Sequence, residues 1–478
     1  MFVRLKSALL AVAPPLLAFC LALRPVENFD LGFILRIGER VAVSGIPITD
    51  PFSFPGEGKV WALEQWLGPL MFWKAYAAAG LTGLIVFKAL ICAAAVSLAY
   101  FAARAASGSE VAASFAALLC AAAGAPRFDA RPNVFSTLGI AATVWALYRA
   151  RAGSLRPAFF LPLLYAVWAH VHPGYMAGII LSGTFAGAAL LPLGERRPSP
   201  RQGALLLAVT AGCALAAVLS MALFHPLHLQ PLFRSLHIFF SPVERANIAE
   251  YAPLGASYAV NAPILALLLA PPLCWLLARR ELPLPVMATW LVFAAGEIRV
   301  GRMLAEASVV LAPAFAQSAM QALSALRASG KIRSTARLAW MPPLAALAGA
   351  AAHFANPEER GFYWPEALYP AACYRYIEAH DLPPRLFNDF WFGGSFIFHF
   401  DGRRKTFIDG RSFYSDEFFT GDYLPIRNAA PGWQQIAKKW GIEWFLLVPG
   451  RFAPLHQALR KAGYRIAYLE PYCSVYLR

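Results

Sequence analysis

The stretch Asn28–Leu67 reads NFDLGFILRIGERVAVSGIPITDPFSFPGEGKVWALEQWL and separates two apolar runs. It carries the carboxylates Asp30, Glu39, Asp50 and Glu64 in a chain where charged residues make up only 14%. Acidic groups between membrane spans cost free energy in insertion and packing, so a loop that keeps them has a use for them. Leu31, Ile34, Leu35 and Ile37 have the spacing of a short amphipathic helix lying along a membrane surface. The segment GIPITDPFSFPGEG, rich in Pro and Gly, is expected to be irregular. VWALEQWLGPLMFWKAYAA then reads as a second interfacial helix, with Trp61, Trp66 and Trp73 suited to the headgroup zone.

The rest of the chain sets this loop in a membrane. Its 478 residues are 59% hydrophobic, too apolar for an ordinary soluble protein. Apolar runs recur from Leu5 to about Phe354, and at roughly 20 residues per crossing they give about eleven transmembrane helices. The first run follows a basic start, as in a signal peptide. It lacks a small-x-small cleavage site and precedes further spans, so it reads as a retained helix. The expected division is a membrane domain over 1–355, with its first loop at 25–80, and a soluble α/β domain over 356–478.

The net charge is +15. In a soluble protein that would suggest nucleic acid, but here the basic residues gather in short connections. Arg4 and Lys6; Arg104; Arg149, Arg151 and Arg156; Arg196, Arg197 and Arg201; Arg279 and Arg280; and Arg327, Lys331, Arg333 and Arg337 form one set. The positive-inside rule makes that set cytoplasmic and leaves no nucleic-acid partner to explain. The N-terminus is then cytoplasmic and the first loop and tail extracytoplasmic. His170, His172, His225, His228 and His237 fall on the same side as Asp30, Asp50, Glu64, Asp129, Glu250 and Glu297. A plain anchor has no need of such a face; an enzyme or a transporter does.

Of the seven cysteines, Cys20, Cys92, Cys120, Cys213 and Cys274 are intramembrane and read as packing residues. Cys373 and Cys473 lie in the tail, where an oxidising compartment would let them pair. No CxxC or HxxxH spacing marks a metal site. In the tail, RLFND, KTFIDGR, WFLLVPG and RIAYLEPYCSVYLR read as strands. WPEALYPAACYRYIEAHDLP, SDEFFTGDYLPIRN, PGWQQIAKKWG and APLHQALRKAG read as helices. That alternation predicts a small α/β domain with a mainly parallel sheet and an antiparallel edge.

Several short motifs together resemble bacterial multi-pass proteins related to the GT-C class of glycosyltransferases. In the first loop the matching residues are Asp30, Leu35, Gly38, Pro47, Asp50, Phe52, Ser53, Trp61, Glu64, Trp66 and Leu67. RPNVFS at Arg131–Ser136 resembles the group's Arg-Pro-Gln-x-Phe-Ser, and WAHVHPG at Trp168–Gly174 its Trp-x-Asn-x-His-Gly. FNDFWFGG and FIDGR in the tail resemble its Asn-Asp-x-x-x-Gly-Gly and Ile-Asp-Gly-Arg signatures. Two departures stand out: Gly32, Phe33 and Ile34 replace a Trp-Trp-His triplet, and His170 replaces an Asn.

The resemblance implies a polytopic α-helical GT-C-like membrane protein of a bacterial cytoplasmic membrane. It implies transfer of a sugar from a polyprenyl-phosphate donor to an extracytoplasmic glycan, lipid or protein acceptor. Such chemistry needs a carboxylate to take the acceptor's proton, and cations to hold the leaving lipid phosphate. Asp30, where the resembling proteins place their acid, is the expected base; as plainly, it is placed to cap the helix that follows. Asp50 reads as an Asx-turn residue or a supporting catalytic group. Glu64 reads as a ligand for acceptor or divalent metal, or as a salt-bridge partner; no metal is firmly expected.

Arg131, His170 and His172 are candidate phosphate contacts, with snorkelling or packing as the alternatives. The i, i+2 spacing of the histidines argues against a zinc site. Arg299 and Arg302, three residues apart, are expected on one helical face, gripping a phosphate or pairing with Glu297 or Glu306. Two other functions compete. One is a non-catalytic scaffold for envelope glycan assembly, suggested by the missing triplet. The other is a lipid or solute transporter, for which only Lys88 and Glu306 sit at mid-membrane depth.

Overall fold

A computed structural model describes residues 2–191, 199–279, 282–332, 336–411 and 413–478. Arg196, Arg197, Arg280 and Arg333, part of the basic set above, lie outside the described residues. The chain forms two compact units: Met1–Arg24 with Ile85–Gly361, and Pro25–Leu84 with Phe362–Arg478. The first loop therefore groups with the tail, whereas the sequence suggested that it belongs with the membrane helices.

The first unit is helical. Among the described residues of the chain, five helices are long and apolar enough to cross a membrane: Arg4–Ala22, Leu67–Ser107, Pro200–Phe224, Gly301–Ala328 and Leu338–Ala355. Leu161–Val171, Tyr175–Leu190 and Ala262–Ala278 are shorter apolar helices. The Leu67–Ser107 helix is broken at Ala79 and Gly80, whose backbone leaves the helical region. That break falls where the sequence separates an interfacial helix from a span.

Small residues make the helix contacts of this unit. Ala113, Ala116, Ala117 and Ala121 are fully buried on the Glu110–Gly124 helix, which packs against Leu304–Ala328, where Ala307, Ala312, Ala314 and Ala316 are fully buried as well. Backbones approach closely over such residues, the usual means of association in lipid. Buried hydroxyls return to their own helices: Thr143 donates to the Gly139 carbonyl, Ser182 to Gly178, Thr210 to Leu206 and Ser308 to Leu304. The outward residues are large and apolar, including Leu163, Leu215, Leu219, Leu223, Leu273, Leu276, Leu344 and Leu347. Apolar side chains that face outward along whole helices are what hydrocarbon surroundings favour.

The second unit holds a four-stranded sheet: β1 (Leu386–Asn388), β2 (Trp444–Leu447), β3 (Arg465–Glu470) and β4 (Cys473–Leu477), in the order β1-β2-β4-β3. Alternate residues enter two cores. Leu386, Trp444, Leu446 and Val475 join Cys373, Tyr374 and Phe396 on one face. Phe387, Phe445, Leu447 and Tyr476 join Phe407, Trp433 and Leu459 on the other. Cys373 and Cys473 form a disulfide across a sequence separation of 100.

Two expectations fail here. Only β1–β2 is parallel, while β2–β4 and β3–β4 are antiparallel, because RIAYLEPYCSVYLR turns back on itself as a hairpin. KTFIDGR does not enter the sheet either. The buried amide of Asn388 takes the place of a strand partner: its Oδ1 accepts the Phe407 amide (2.8 Å) and its Nδ2 donates to the Ile408 carbonyl (2.7 Å).

Candidate functional site

In the second unit, the Leu31–Ser44 helix buries Leu31, Phe33, Ile34, Leu35, Ile37 and Val41. It packs on the Gly393–Phe400 helix and so does not present that face to a membrane surface. Gly32 explains itself: a Cβ there would collide with the Gly394 carbonyl, so a bulky residue cannot replace it. Arg36 then donates to the Phe398 carbonyl through Nε (3.0 Å) and Nη2 (2.7 Å).

Asp30 opens that helix, half-buried. Its backbone amide donates to Asn28 Oδ1 (2.8 Å) and its carbonyl accepts from Ile34. Its side chain makes no capping hydrogen bond, which removes the cap as the reason for an aspartate. A Cβ on Gly410 would collide with Asp30 Oδ1, and one on Gly394 would meet the Phe29 carbonyl and the Asp30 backbone. The glycines of both tail signatures thus make room for this one residue.

Asp50 occupies a different setting. It is buried, and its carboxylate accepts from the Phe52 amide (2.9 Å), the Ser53 amide (3.3 Å), the Ser53 hydroxyl and Arg411 Nη1 (2.6 Å). Arg411 donates as well to Asp409 through Nε and Nη2, both at 2.7 Å, and the Tyr414 hydroxyl completes Asp409 at 2.7 Å. The guanidinium lies 4.7 Å from the Trp61 ring centroid and 5.2 Å from that of Phe52. Burial disfavours the Arg411 charge, but Asp409 and Asp50 outweigh it and hold the group well above the ordinary arginine range. The Pro/Gly-rich segment is also more regular than expected. Thr49 bridges Val60, and the amides of Phe54 and Thr406 bond across to the Thr406 and Phe52 carbonyls. Glu64 lies half-buried ahead of the helix that starts at Leu67, not within a helix.

The first unit brings a second group together where several interhelical connections meet. Arg131 Nη1 donates to Glu250 Oε1 at 2.5 Å, and Arg127 Nη1 lies 3.1 Å from the same oxygen. Arg302 Nε stands 3.8 Å from Glu250 Oε2. Asp129 has Arg24 at 3.5 Å and Arg127 at 3.7 Å, and Arg127 also donates to the Tyr258 hydroxyl at 2.8 Å. Four guanidiniums thus surround two carboxylates. Burial pushes against the Glu250 charge, but Arg131, Arg127 and Arg302 hold its carboxyl down at about 2. Asp129, Glu250 and the neighbours of Arg127 likewise keep that buried guanidinium charged, against its desolvation.

Two sequence motifs join beside this cluster. Trp168 Nε1 donates to Ser136 Oγ (2.9 Å), and Ser136 Oγ meets His172 Nδ1 (2.7 Å). The Gly174 amide also donates to Nδ1 (3.1 Å), so that nitrogen accepts and the ring proton sits on Nε2. Burial first, then Arg302 and Arg127, lower the His172 pKa to about 3 and keep the imidazole neutral. Gly139 and Gly174 let the motifs touch, since a Cβ on either would strike Trp168 or Ser136.

Of the residues singled out in the sequence, Arg131, His172 and Arg302 share this cluster, while Asp30, Asp50 and Glu64 lie in the other unit. His170 is buried on the Leu161–Val171 helix, outside the Ser136–His172 chain. Arg299 and Arg302 do not share a face. The helix ends at Arg299, Val300 is extended, and a 3-10 turn carries Arg302. Arg302 faces Glu250, and Arg299 is exposed. Glu306 accepts from Thr137 (3.2 Å), and Lys88 is buried. Arg24 and Arg127 were missed, although Arg127 stands four residues before Arg131 in the same PRFDARPN turn. No group of three His, Cys, Asp or Glu among the described residues is placed to hold a metal ion.

No family model matches the chain, and no curated protein matches it. Solved structures do. The chain resembles an oligosaccharyltransferase from Archaeoglobus fulgidus in its apo form, at 14% identity and a TM-score of 0.56, over 93% of this chain and 69% of that one. It resembles AglB from the same organism, in complex with an inhibitory peptide and a dolichol-phosphate, at 15% identity and a TM-score of 0.58, with the same coverage of 93% and 69%. ArnT from Cupriavidus metallidurans, bound to undecaprenyl phosphate, aligns at 15% identity and a TM-score of 0.51 over 99% of this chain and 97% of that one. At such identities the likeness shows the fold alone, which the chain shares with these oligosaccharyltransferase and ArnT structures.

Proposed function

We propose that the protein transfers a sugar from a polyprenyl-phosphate donor to an acceptor hydroxyl outside the cytoplasm. The observation that carries this reading is the cationic cluster of Arg24, Arg127, Arg131 and Arg302 around Asp129 and Glu250, at the ends of apolar helices. Arginine excess beside a lipid-facing surface suits a phosphate on a prenyl chain. The fold supports it, since AglB and ArnT carry dolichol-phosphate and undecaprenyl phosphate in their solved complexes.

In this reading Asp30 accepts the proton of the acceptor hydroxyl as its oxygen attacks the anomeric carbon. The bond from that carbon to the donor phosphate breaks, and polyprenyl phosphate leaves. Within the first unit, Arg131, Arg302 and the Nε2–H of neutral His172 are the candidates for binding the donor's phosphate. Glu64 is left to orient the acceptor. Asp50 is a strut, its lone pairs already engaged by Arg411 and the Phe52–Ser53 backbone. The Cys373–Cys473 disulfide favours an oxidising compartment for the tail, hence the outer side of a cytoplasmic membrane crossed about eleven times.

Replacing Asp30 by Asn tests the chemistry. Loss of a general base costs about 10²–10⁴-fold in transfer rate, at unchanged thermal stability. Full transfer by Asp30→Asn would remove Asp30 from the mechanism. A second reading, a GT-C scaffold without activity, draws on Gly32–Ile34 in place of Trp-Trp-His. It requires that no polyprenyl-phosphate sugar be consumed by the purified protein.

A further inference from the structure

The second unit has another group of residues that the transfer reading leaves unused. β1 and β2 run parallel, and the carboxyl ends of parallel strands are where α/β domains hold ligands. The connection after β1 supplies Asp389 and Trp391; the one after β2 supplies Gly450, Arg451 and Phe452. Arg427 joins them from the end of the Leu424–Arg427 helix.

Aromatic rings orient both arginines. The Arg451 guanidinium lies 4.8 Å from the Trp391 centroid and 5.4 Å from that of Phe452, while Arg427 lies 5.1 Å from Phe452 and 5.8 Å from Tyr423. Trp391 is held in turn by Phe29, stacked at 5.1 Å, and by its indole N–H to the Ala367 carbonyl (3.0 Å). Phe452 has φ +54°, a left-handed conformation that costs a bulky residue free energy and that clusters at ligand sites. Among the described residues, neither Arg427 nor Arg451 forms an ion pair; Arg427 Nε donates to Asn428 Oδ1 at 3.2 Å, and its side chain also bonds that of Tyr423. Beneath them Asp389 is fully buried. Its Oδ1 accepts the Trp391 amide (3.0 Å), the Val448 amide also acts on the carboxyl, and Oδ2 has no partner at full bonding geometry. Both arginines are near enough to act on that carboxyl electrostatically.

We propose that this edge is a binding site for an acidic saccharide, whose carboxylate or phosphate is gripped by Arg427 and Arg451 and whose hydroxyl is taken by Asp389. Guanidiniums stacked on rings keep their N–H edges free for bidentate contact with either anion. A buried carboxylate beside them suits a hydroxyl donor more than a second anion. Calling this saccharide the acceptor rests on the transfer reading; its binding does not.

Direct binding to the full-length protein in detergent keeps the two separate. The probes are trigalacturonate, mannose 6-phosphate, maltotriose and inorganic phosphate, titrated by calorimetry without donor. Binding of trigalacturonate or mannose 6-phosphate, with maltotriose and inorganic phosphate at least tenfold weaker, is the expected result, and the tighter of the two names the anion. Arg451→Gln, at an exposed position, and Arg427→Gln should each weaken the winner about tenfold or more, with melting unchanged for Arg451→Gln. Asp389→Asn should weaken the saccharide while leaving any weak phosphate binding alone. Equal binding by Arg451→Gln, equal binding of maltotriose, or no binding of either acidic saccharide would overturn the proposal. Binding is read without donor and without transfer, so a failed transfer assay leaves this result untouched.

Discussion

Arg411→Gln is the sharpest test of how the first loop is held. Arg411 links Asp50 of the loop to Asp409 of the tail through three hydrogen bonds of 2.6–2.7 Å, and the side chains of all three are at most 3% exposed. A glutamine cannot reach both carboxylates or balance either charge, so two buried carboxylates are left without their cation. Breaking a buried pair in this way costs about 3–5 kcal/mol. For a unit of roughly 150–250 residues each kcal/mol lowers the melting temperature by about 2–4 °C, so a drop of about 6–20 °C is expected. Asp50→Asn is the control. It keeps an acceptor for Arg411 and for the Phe52 amide and leaves the Arg411–Asp409 pair whole, for a cost of about 1–3 kcal/mol. Thermal unfolding in detergent, followed by tryptophan fluorescence with Trp61 stacked on Arg411, measures both. The reasoning is refuted if Arg411→Gln melts within about 2 °C of the wild type. It is also refuted if Asp50→Asn melts normally yet loses all transfer, which would make Asp50 a reacting group.

Acid should destabilise the first unit in two stages. The His172 pKa is lowered to about 3, so protonation of the unfolded chain costs stability as pH falls below the ordinary 6.5. The Glu250 carboxyl, held at about 2 against an ordinary 4.5, contributes stability above 4.5 that is lost as pH falls towards 2, at most about 3 kcal/mol. Melting temperature against pH should show the lower stage vanish in Glu250→Gln. The Cys373–Cys473 disulfide closes a loop with a sequence separation of 100, for which chain entropy gives about 4–5 kcal/mol. Cys373→Ser should lower tail stability by that order and remove the mobility shift between reduced and unreduced gels. Gly410→Ala, which drives a methyl into Asp30 Oδ1, should cut transfer on the order of 10²-fold by displacing the base, read as a fall in kcat with little change in KM.

Membrane character was legible because hydrophobic burial in lipid writes itself as long apolar runs, and the kink at Ala79–Gly80 because a glycine opens the second run. Side-chain substitution for backbone was not. KTFIDGR has every mark of a strand, yet the Asn388 amide meets the 407 and 408 backbone groups that a neighbouring strand would have met. Spacing misled at Arg299 and Arg302, because the three-residue rule holds only while the helix continues, and Val300 breaks it. Arg127 was passed over because a buried arginine is recognised by the acids it meets, and Glu250 lies 123 residues away in sequence. For the same reason the sequence sorts the loop's acids, Asp30 first, without the contacts that separate them.

That sorting turns on geometry around two aspartates of the same loop. Asp50 and Asp30 are 20 residues apart, both in stretches that resemble GT-C motifs, and the sequence favours Asp30 as the base with Asp50 as a turn residue or a supporting group. Asp50 has Arg411 and the Phe52 and Ser53 amides on it and is buried, so its carboxylate serves the fold. Asp30 is half-buried, caps nothing with its side chain, and is approached by Gly394 and Gly410. A glycine pressed against a carboxylate gives it space and a fixed position, and a fixed position is what a general base requires. The two tail signatures then serve one loop: Arg411 locks it through Asp50, and Gly394 and Gly410 admit Asp30.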